Sequence, residues 1–170
     1  MDKASSDTTL PRIKSVSADR ASLTLKVEWA DGRKSKIDLT GLVHSSRHFN
    51  AFASDHEAFR MVRVDEFGTG IEWDNGVDYS AATLSQMAVE QRRVTGKDLR
   101  GFTERYKLNV EETAALLDVT PKTVRNYEKA AVLPRTVGIA LRRFQQDPTA
   151  FAALYRPVKV RPRGRPRQTS

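Results

Sequence analysis

The chain has 170 residues, of which 39% are hydrophobic and 29% are charged, and these values suit a globular protein of one domain or two small ones. It has no cysteine, which excludes disulfides and cysteine-based metal sites and fits a reducing cytoplasm. No run of about 18 apolar residues occurs, so no membrane span is expected, and the polar start of the chain does not look like a signal peptide.

The net charge of +8 is unevenly distributed along the chain. Residues 1–95 contain 13 Lys and Arg against 14 Asp and Glu, whereas residues 96–170 contain 16 basic against 7 acidic side chains. The second half therefore carries the whole positive excess. A polyanion is the natural partner of such a half, because each neutralised phosphate releases counterions. A merely soluble basic domain is the alternative.

The first half is predicted to be rich in β-strands. Residues 1–11 are small and polar and are expected to be disordered. Residues 13–18 and 22–30 read as strands, and the second alternates apolar with polar side chains at period two, as a half-buried strand does. An Asp-Gly hairpin signal follows at 31–32, and residues 33–39 should return as a third strand.

The next stretch is less regular. Residues 40–54 are expected to form a loop and a short helix, with Phe49 and Phe52 turned inward. Residues 59–67 are predicted to form a strand, although neither of its faces is purely apolar. Both tryptophans of the chain are expected to lie in the core.

Residues 68–79 read GTGIEWDNGVDY and contain a short strand at 71–73 between two turn signals, after which Ser80 caps a helix. Together with the strand–turn–strand opening, this motif resembles a family of small bacterial β-rich domains of uncharacterised function. Such domains occur alone or ahead of an Xre-like DNA-binding module, and some have been proposed to belong to toxin–antitoxin-like gene pairs. The resemblance implies a fold but no chemistry.

Residues 90–96 mark the predicted domain boundary, because the composition changes there from balanced to basic and Gly96 offers a flexible point. Two short helical patterns separated by a tight corner follow within residues 109–130. Asn109 and the acid three residues later have the spacing of a capping box. Thr120, followed by a proline, is the predicted N-cap of the second helix.

The second of these helices has a distinct outer face. Val124 and Tyr127 are three residues apart and should face inward. The long polar side chains on the outer side are Lys122, Arg125, Asn126 and Lys129. Each of them can donate hydrogen bonds, which suits the acceptor edges of guanine and the amide-sized pattern of adenine in a major groove.

This helix pair resembles the helix-turn-helix of phage-repressor-like (Xre-like) transcription regulators. The shared positions are a small residue, a turn residue, an apolar residue, an aliphatic residue and an aromatic–acid pair, here Ala114, Asp118, Val119, Val124 and Tyr127-Glu128. Two positions depart from the family pattern: Val110 replaces a glutamine that contacts DNA, and Thr113 replaces a leucine. The resemblance implies a five-helix DNA-binding domain. An ordinary αα-hairpin is the alternative reading.

Three further helices complete that predicted domain. The first covers about residues 97–107, the fourth follows Pro134, and the fifth begins at Asp147 and buries Phe151 and Leu154. The predicted fold class is therefore α+β. The predicted segments are a disordered start over 1–11, a small β-rich domain over 12–92, a helix-turn-helix domain over 96–155 and a basic tail over 156–170.

The tail has no acid and no large apolar residue beyond two valines, so it is expected to be disordered in isolation. Within it, residues 162–166 read PRGRP and resemble the core of an AT-hook. Such a segment stays extended and runs Arg163 and Arg165 along a narrow, negative minor groove. A generic basic tail that binds phosphate is the alternative.

No catalytic, cofactor or metal site is recognisable in the sequence. His44 and His48 are four residues apart, but no cysteine and no suitably spaced carboxylate supports a metal site. Ser45 and Ser46 lack the strand–turn–helix elbow of a hydrolase, and no phosphate-binding glycine loop occurs. We therefore predict no enzyme activity, no cofactor and no metal.

The sequence predicts a sequence-specific DNA-binding transcription regulator, acting as a repressor, in the cytoplasm and on the nucleoid when bound. Lys122, Arg125 and Asn126 are predicted to read base edges, and Lys129 and Thr123 to contact phosphate or sugar. Thr120 should cap the recognition helix and touch phosphate. Double-stranded DNA is the predicted partner, and a homodimer is expected because helix-turn-helix proteins usually bind two half-sites. The alternative is an antitoxin-like protein whose first domain binds a partner protein and whose helix-turn-helix represses its own operon.

Overall fold

The computed structural model describes residues 10–158, and the chain divides after Arg92 into two compact units. The predicted α+β class is confirmed, since small antiparallel sheets precede a series of helices. Residues 1–9, which make up most of the segment 1–11 that was expected to be disordered, lie outside the described range, as do residues 159–170 with Arg163 and Arg165.

The first unit contains two three-stranded antiparallel sheets, of order β1-β2-β3 and β4-β5-β6. Its strands are β1 (Ile13–Ala18), β2 (Thr24–Trp29), β3 (Lys34–Asp38), β4 (Arg63–Val64), β5 (Gly70–Glu72) and β6 (Asp78–Ser80). Its helices are α1 (Thr40–Ser45), α2 (His56–Arg60) and α3 (Ala81–Gln91), with a 3-10 turn at Asn50–Ala53. The predicted cap of α3 is confirmed, because the Ser80 side chain accepts a hydrogen bond from the Thr83 N–H.

An aromatic cluster forms much of the first core. Phe49, Phe52 and Phe59 surround Trp73 with ring centroids 5.0–5.9 Å from that indole. The Trp73 indole N–H donates to the Phe59 carbonyl oxygen at 2.8 Å, so burial of the ring leaves no polar atom unsatisfied. The inward prediction for Phe49 and Phe52 and the core prediction for both tryptophans, including Trp29, are confirmed.

The strand predicted over residues 59–67 is wrong for most of its length. Its first residues belong to α2, and only Arg63–Val64 pair as a strand. The Asp55 carboxylate accepts a hydrogen bond from the Ala58 N–H at 2.8 Å, and this cap starts the helical turn that delivers Phe59 to the core. A mixed apolar pattern of this length fits a short helix as readily as a strand.

In its described part, the second unit contains helices joined by loops and no strand. Its helices are α4 (Gly96–Tyr106), α5 (Val110–Leu117), α6 (Pro121–Tyr127), α7 (Arg135–Gln146) and α8 (Pro148–Leu154). Leu99, Phe102 and Leu141 are buried at its centre. Within residues 10–158, no helix is long and apolar enough to cross a membrane.

The burial predicted for Leu154 is wrong, because 60% of this residue is exposed. Phe151 does pack inward, 4.5 Å from the Tyr106 ring between centroids. The Tyr155 ring, one residue beyond the helix, stacks on Phe151 with ring centroids 5.2 Å apart.

The sequence suggested that Gly96 is a flexible point. In the structure it is instead a site of close backbone packing. It is the first residue of α4, and its N–H donates to the Ala130 carbonyl oxygen at 2.9 Å. A Cβ at this position would lie 2.5 Å from the carbonyl oxygens of both Tyr127 and Glu128. The beginning of α4 can therefore approach the end of α6 only because residue 96 has no side chain.

Replacing Gly96 with alanine should destabilise the second unit by about 1–3 kcal/mol, because the added methyl group would overlap two backbone oxygens that cannot move without shifting α6. The matched control is Gly101→Ala in the same helix, where a Cβ meets nothing within 4 Å. That control should be more stable by about 0.5–1 kcal/mol. Urea unfolding followed by far-ultraviolet circular dichroism measures both changes, and equal stability of the two variants would contradict the close packing.

Candidate nucleic-acid interface

A tight corner joins α5 to α6. Asp118 ends α5 in the left-handed region, with φ of 53°, and the Val119 N–H donates to the Ala114 carbonyl oxygen at 2.9 Å. This is the pattern of a helix C-cap, in which a left-handed residue lets the chain turn while its last carbonyls stay bonded. Aspartate tolerates this conformation better than most residues with a side chain, so the predicted turn position is confirmed.

Both helices of the pair begin with the predicted caps. The Asn109 side chain accepts from the Glu112 N–H at 2.7 Å, and the Glu112 carboxylate accepts from the Asn109 N–H at 3.0 Å, which completes a capping box. At α6 the Thr120 hydroxyl accepts from the Thr123 N–H at 3.1 Å. The two threonine hydroxyl groups also bond each other at 2.9 Å.

The two faces of α6 differ as the spacing predicted. Val124 is fully buried and Tyr127 is partly buried, so one side of the helix is held against the domain. Lys122, Arg125 and Asn126 are all exposed on the other side. Within residues 10–158, the side chains of Lys122 and Asn126 have no hydrogen-bond or ion-pair partner.

The sequence placed Lys129 on the second helix of the pair, but in the structure it lies beyond the end of α6. The helix ends at Tyr127, and Lys129 follows in the turn, where its own N–H donates to the Asn126 carbonyl oxygen at 3.2 Å. The side chain is exposed and close in sequence to the helix end, so a phosphate contact by Lys129 stays a prediction.

Arg125 has a partner that sequence reasoning missed. Its guanidinium lies 3.9 Å from the Glu111 carboxylate of α5, and the two side chains are 57% and 38% exposed. Exposed pairs at this separation contribute little to stability. Arg125 is therefore lightly held and remains available to another acceptor.

One side chain and one backbone N–H of α4 donate hydrogen bonds to backbone oxygens just beyond the end of α6, and no local sequence pattern could reveal these contacts. The Arg100 guanidinium donates to the Glu128 carbonyl oxygen, beside the Gly96–Ala130 hydrogen bond. Because the buried Val124 and these end contacts act at different points of a short helix, they define which side of α6 faces solvent.

Glu112 is buried, with 8% of its surface exposed, and it is the most enclosed acid of the second unit's described part. Its second oxygen accepts from the Tyr155 hydroxyl at 2.8 Å and from the Val158 N–H at 3.4 Å. The Asn109 N–H and then the Tyr155 hydroxyl lower the pKa of the Glu112 carboxyl. In turn, the hydrogen bond to this carboxylate raises the pKa of Tyr155.

The structure shows the environment of the two residues, Thr113 and Val110, that depart from the helix-turn-helix sequence pattern. Thr113 is fully buried, and its hydroxyl donates to the Asn109 carbonyl oxygen at 2.8 Å, so the polar group is satisfied inside the domain. Val110 is the first residue of α5 and is partly buried. In the first unit, His44 lies in α1 while His48 lies beyond its end, so this pair does not share a helix face.

Comparison with known proteins assigns a family to the first unit only. Residues 13–89 match the family described as Protein of unknown function (DUF2442). This confirms the expectation of an N-terminal domain from a family of uncharacterised function. No curated protein matches the chain.

One solved structure that is similar to this chain is named Putative DNA Binding Protein and comes from Nitrosomonas europaea ATCC 19718. It shares 22% sequence identity with this chain, and the aligned part covers 80% of this chain and 87% of that one, with a TM-score of 0.45. A likeness at this level says nothing about what the present chain binds.

Replacing Glu112 with glutamine should destabilise the second unit at neutral pH and much less in acid. The folded pKa of Glu112 is lowered, so its contribution is fully present above the ordinary glutamate pKa of about 4.3 and is lost as the pH falls through the folded value. The unfolding free energies of the two proteins should therefore converge on acidification. Glu104→Gln, which alters an exposed residue of α4, is the control. A difference that is independent of pH would contradict this role of the charge.

Proposed function

We propose that this protein is a sequence-specific DNA-binding transcription regulator that reads bases with α6. The observation that carries the proposal is the exposed side of this helix. Three hydrogen-bonding side chains, Lys122, Arg125 and Asn126, face solvent there, while Val124 holds the opposite side in the core.

The chemistry of these three side chains suits a major groove. Arginine and lysine donate to the O6 and N7 acceptors of guanine, and asparagine pairs with the N6 and N7 positions of adenine. An α-helix fits the width of that groove. The helix has only seven residues, so its single exposed strip can read a few base pairs at most.

Affinity in this proposal comes mainly from charge. Residues 96–170 carry 16 basic and 7 acidic side chains, and such an excess attracts the phosphate backbone at any sequence. Thr120, Thr123 and Lys129 lie at the two ends of α6, where phosphate and sugar contacts would set the register of the helix. The tail arginines would add contacts in the minor groove.

We extend the proposal to a homodimer that acts as a repressor. A dimer doubles the few base pairs that one short helix can read and places two copies of α6 about one helical turn apart. A regulator that binds in this way can block access of the transcription machinery to its site. A protein partner for the first unit stays a prediction.

Replacing Arg125 with alanine should weaken binding to the preferred site by about 1–3 kcal/mol and relax specificity at the base it reads. The preferred site is first obtained by selecting bound duplexes from a random DNA pool, and a homodimer should return two related half-sites. Affinities for this site and for a scrambled duplex are then measured at one salt concentration. The control Arg20→Ala removes the same charge from an exposed position of the first unit. An equal loss of affinity for both duplexes would contradict base reading by Arg125, and no binding of any duplex at low salt would overturn the proposed function.

Replacing Glu111 with glutamine should tighten DNA binding about two- to fivefold, because it releases Arg125 from a weak ion pair that binding must break. The gain should be smaller when Arg125 is already alanine, since the carboxylate then has no arginine to hold and only its repulsion of phosphate is lost. Glu104→Gln removes a charge from an exposed position of α4 and serves as the control. A gain of the same size in the Arg125→Ala background would show that Glu111 acts only by repelling phosphate.

A further inference from the structure

The outer edge of the first sheet is occupied at one point by a side chain that imitates a strand. β3 is the last strand in the order β1-β2-β3. At its end, the Asp38 N–H donates to the Gln91 side-chain oxygen at 2.8 Å, and the Gln91 side-chain nitrogen donates to the Asp38 carbonyl oxygen at 2.7 Å. A residue of a neighbouring antiparallel strand would make the same two hydrogen bonds. The Gln91 side chain therefore takes the place of one residue of a fourth strand.

The preceding backbone groups on this edge have no such partner. The Leu39 N–H donates to the Leu23 carbonyl oxygen, so the odd-numbered residues of this segment bond to β2. Hydrogen bonding alternates along an antiparallel strand, so the N–H and C=O groups of Lys34 and Lys36 point away from β2, as those of Asp38 do. Within residues 10–158, these groups of Lys34 and Lys36 have no hydrogen-bond partner. The edge of β3 is therefore open from Lys34 to Lys36.

A groove of about 320 Å³ runs along this open edge, between β3 and α3. The helix contributes Ala88, which is partly buried, and Val89, which is 42% exposed. None of the described residues that line the groove is acidic, and four of them are basic: Arg33, Lys34, Lys36 and Arg92. Residues 1–95 carry 13 basic against 14 acidic side chains, so the groove concentrates positive charge in a part of the chain that has no excess of it.

Two of the basic side chains are available to a ligand. The Arg33 guanidinium is held by the Asp31 carboxylate at 2.6 Å. The Lys34 ammonium lies 3.9 Å from the Glu28 carboxylate, and its side chain is 78% exposed, so it is only lightly held. Lys36 is exposed, and its side chain has no hydrogen-bond or ion-pair partner within residues 10–158. Lys34 and Lys36 are two residues apart and therefore lie on the same face of β3.

We propose that this groove binds an extended segment of a partner protein, which adds to β3 as a fourth antiparallel strand and carries acidic side chains opposite Lys34 and Lys36. Each residue of an added strand lies directly opposite one residue of β3, so two acids two positions apart face the two lysines. The residue between them points to the core side of the sheet, where Ala88 packs, and an apolar side chain suits that position. The segment therefore reads acid–apolar–acid.

The backbone groups of the open edge favour a polypeptide over a nucleic acid. The edge offers carbonyl oxygens as well as N–H groups, and a peptide backbone supplies both a donor and an acceptor for each residue it pairs with. A phosphate only accepts hydrogen bonds, so it would leave the carbonyl oxygens of Lys34 and Lys36 unpaired.

The charges of the edge disfavour a second copy of β3 as the occupant. Pairing of two copies through this edge would place lysines opposite lysines, and like charges directly opposite each other destabilise a sheet. Lysines on an edge strand commonly prevent such pairing. In this protein, the same two lysines select an acidic strand.

The test uses the full-length protein and three synthetic peptides with blocked ends. The acidic peptide is TVEVEVT and the basic peptide is TVKVKVT. The third peptide is TVEVEVT with a methyl group on the backbone nitrogen of each glutamate, which keeps the charges but removes the two N–H donors that would pair with β3. Fluorescence anisotropy of labelled peptides gives the dissociation constants at one salt concentration. The basic and the methylated peptides should each bind at least about fivefold more weakly than the acidic peptide.

Hydrogen exchange measured by nuclear magnetic resonance reports the strand addition directly. Exchange of the Lys34 and Lys36 amides should slow about tenfold when the acidic peptide is present at ten times its dissociation constant, because only the unbound protein leaves these groups open. Binding of the acidic peptide without this slowing would show that charge alone holds the peptide, and it would overturn the strand addition.

Replacing Lys36 with alanine should weaken binding of the acidic peptide about two- to fivefold, because one cross-strand pair of opposite charges is lost. The control Arg20→Ala removes the same charge from an exposed position of the first unit and should leave the affinity unchanged. Thermal unfolding of both variants identifies any loss of binding that comes from loss of fold.

Three further outcomes would overturn the inference. The first is equal affinity for the acidic and the basic peptide, or no binding of either. The second is a Lys36→Ala variant that loses affinity for duplex DNA but not for the acidic peptide, which would show that the groove holds phosphate. The third is a fall in the mass of the protein on addition of the acidic peptide, measured by analytical ultracentrifugation, which would show that a second copy holds the edge.

Discussion

The close approach of two backbones at Gly96 is the constraint on which the arrangement of the second unit depends. Because residue 96 has no side chain, the beginning of α4 can donate to Ala130 while the carbonyl oxygens at the end of α6 lie where a methyl group would otherwise sit. Val124 holds the middle of α6 in the core. A helix secured at its middle and its end presents one defined strip of side chains to solvent, which a base-reading helix requires.

The first turn of α5 shows how two adjacent acids serve different purposes. Glu112 is buried, completes a capping box and accepts hydrogen bonds from the Tyr155 hydroxyl and the Val158 N–H, so its charge is used within the fold. Glu111 is partly exposed and lies near Arg125, so its charge acts on the surface that is proposed to meet DNA. The helix period separates neighbouring residues by about 100°, and this rotation alone assigns the two carboxylates to different surroundings.

Much of the second unit could be predicted because its signals are local. The Asn109 and Thr120 caps, the corner at Asp118 and the two faces of α6 each follow from residues within one or two turns of each other. The two wrong predictions, a strand over residues 59–67 and a buried Leu154, concern segments whose side chains pack against other elements. In α2, the Asp55 cap starts the turn and Phe59 packs against Trp73, fourteen residues away, while at the end of α8 the Tyr155 ring stacks on Phe151 and Leu154 is exposed.

By itself, the sequence determined the α+β class, the helix caps, the charge asymmetry and the residues that face outward on α6, because periodicity and capping act over a few residues of chain. Only the tertiary structure decided that Gly96 packs against the end of α6, that Arg125 lies near Glu111 and that Tyr155 reaches Glu112. These partners are separated by 14 to 43 residues or join backbone atoms, so no spacing rule connects them. They meet only when burial of the shared core brings their helices together.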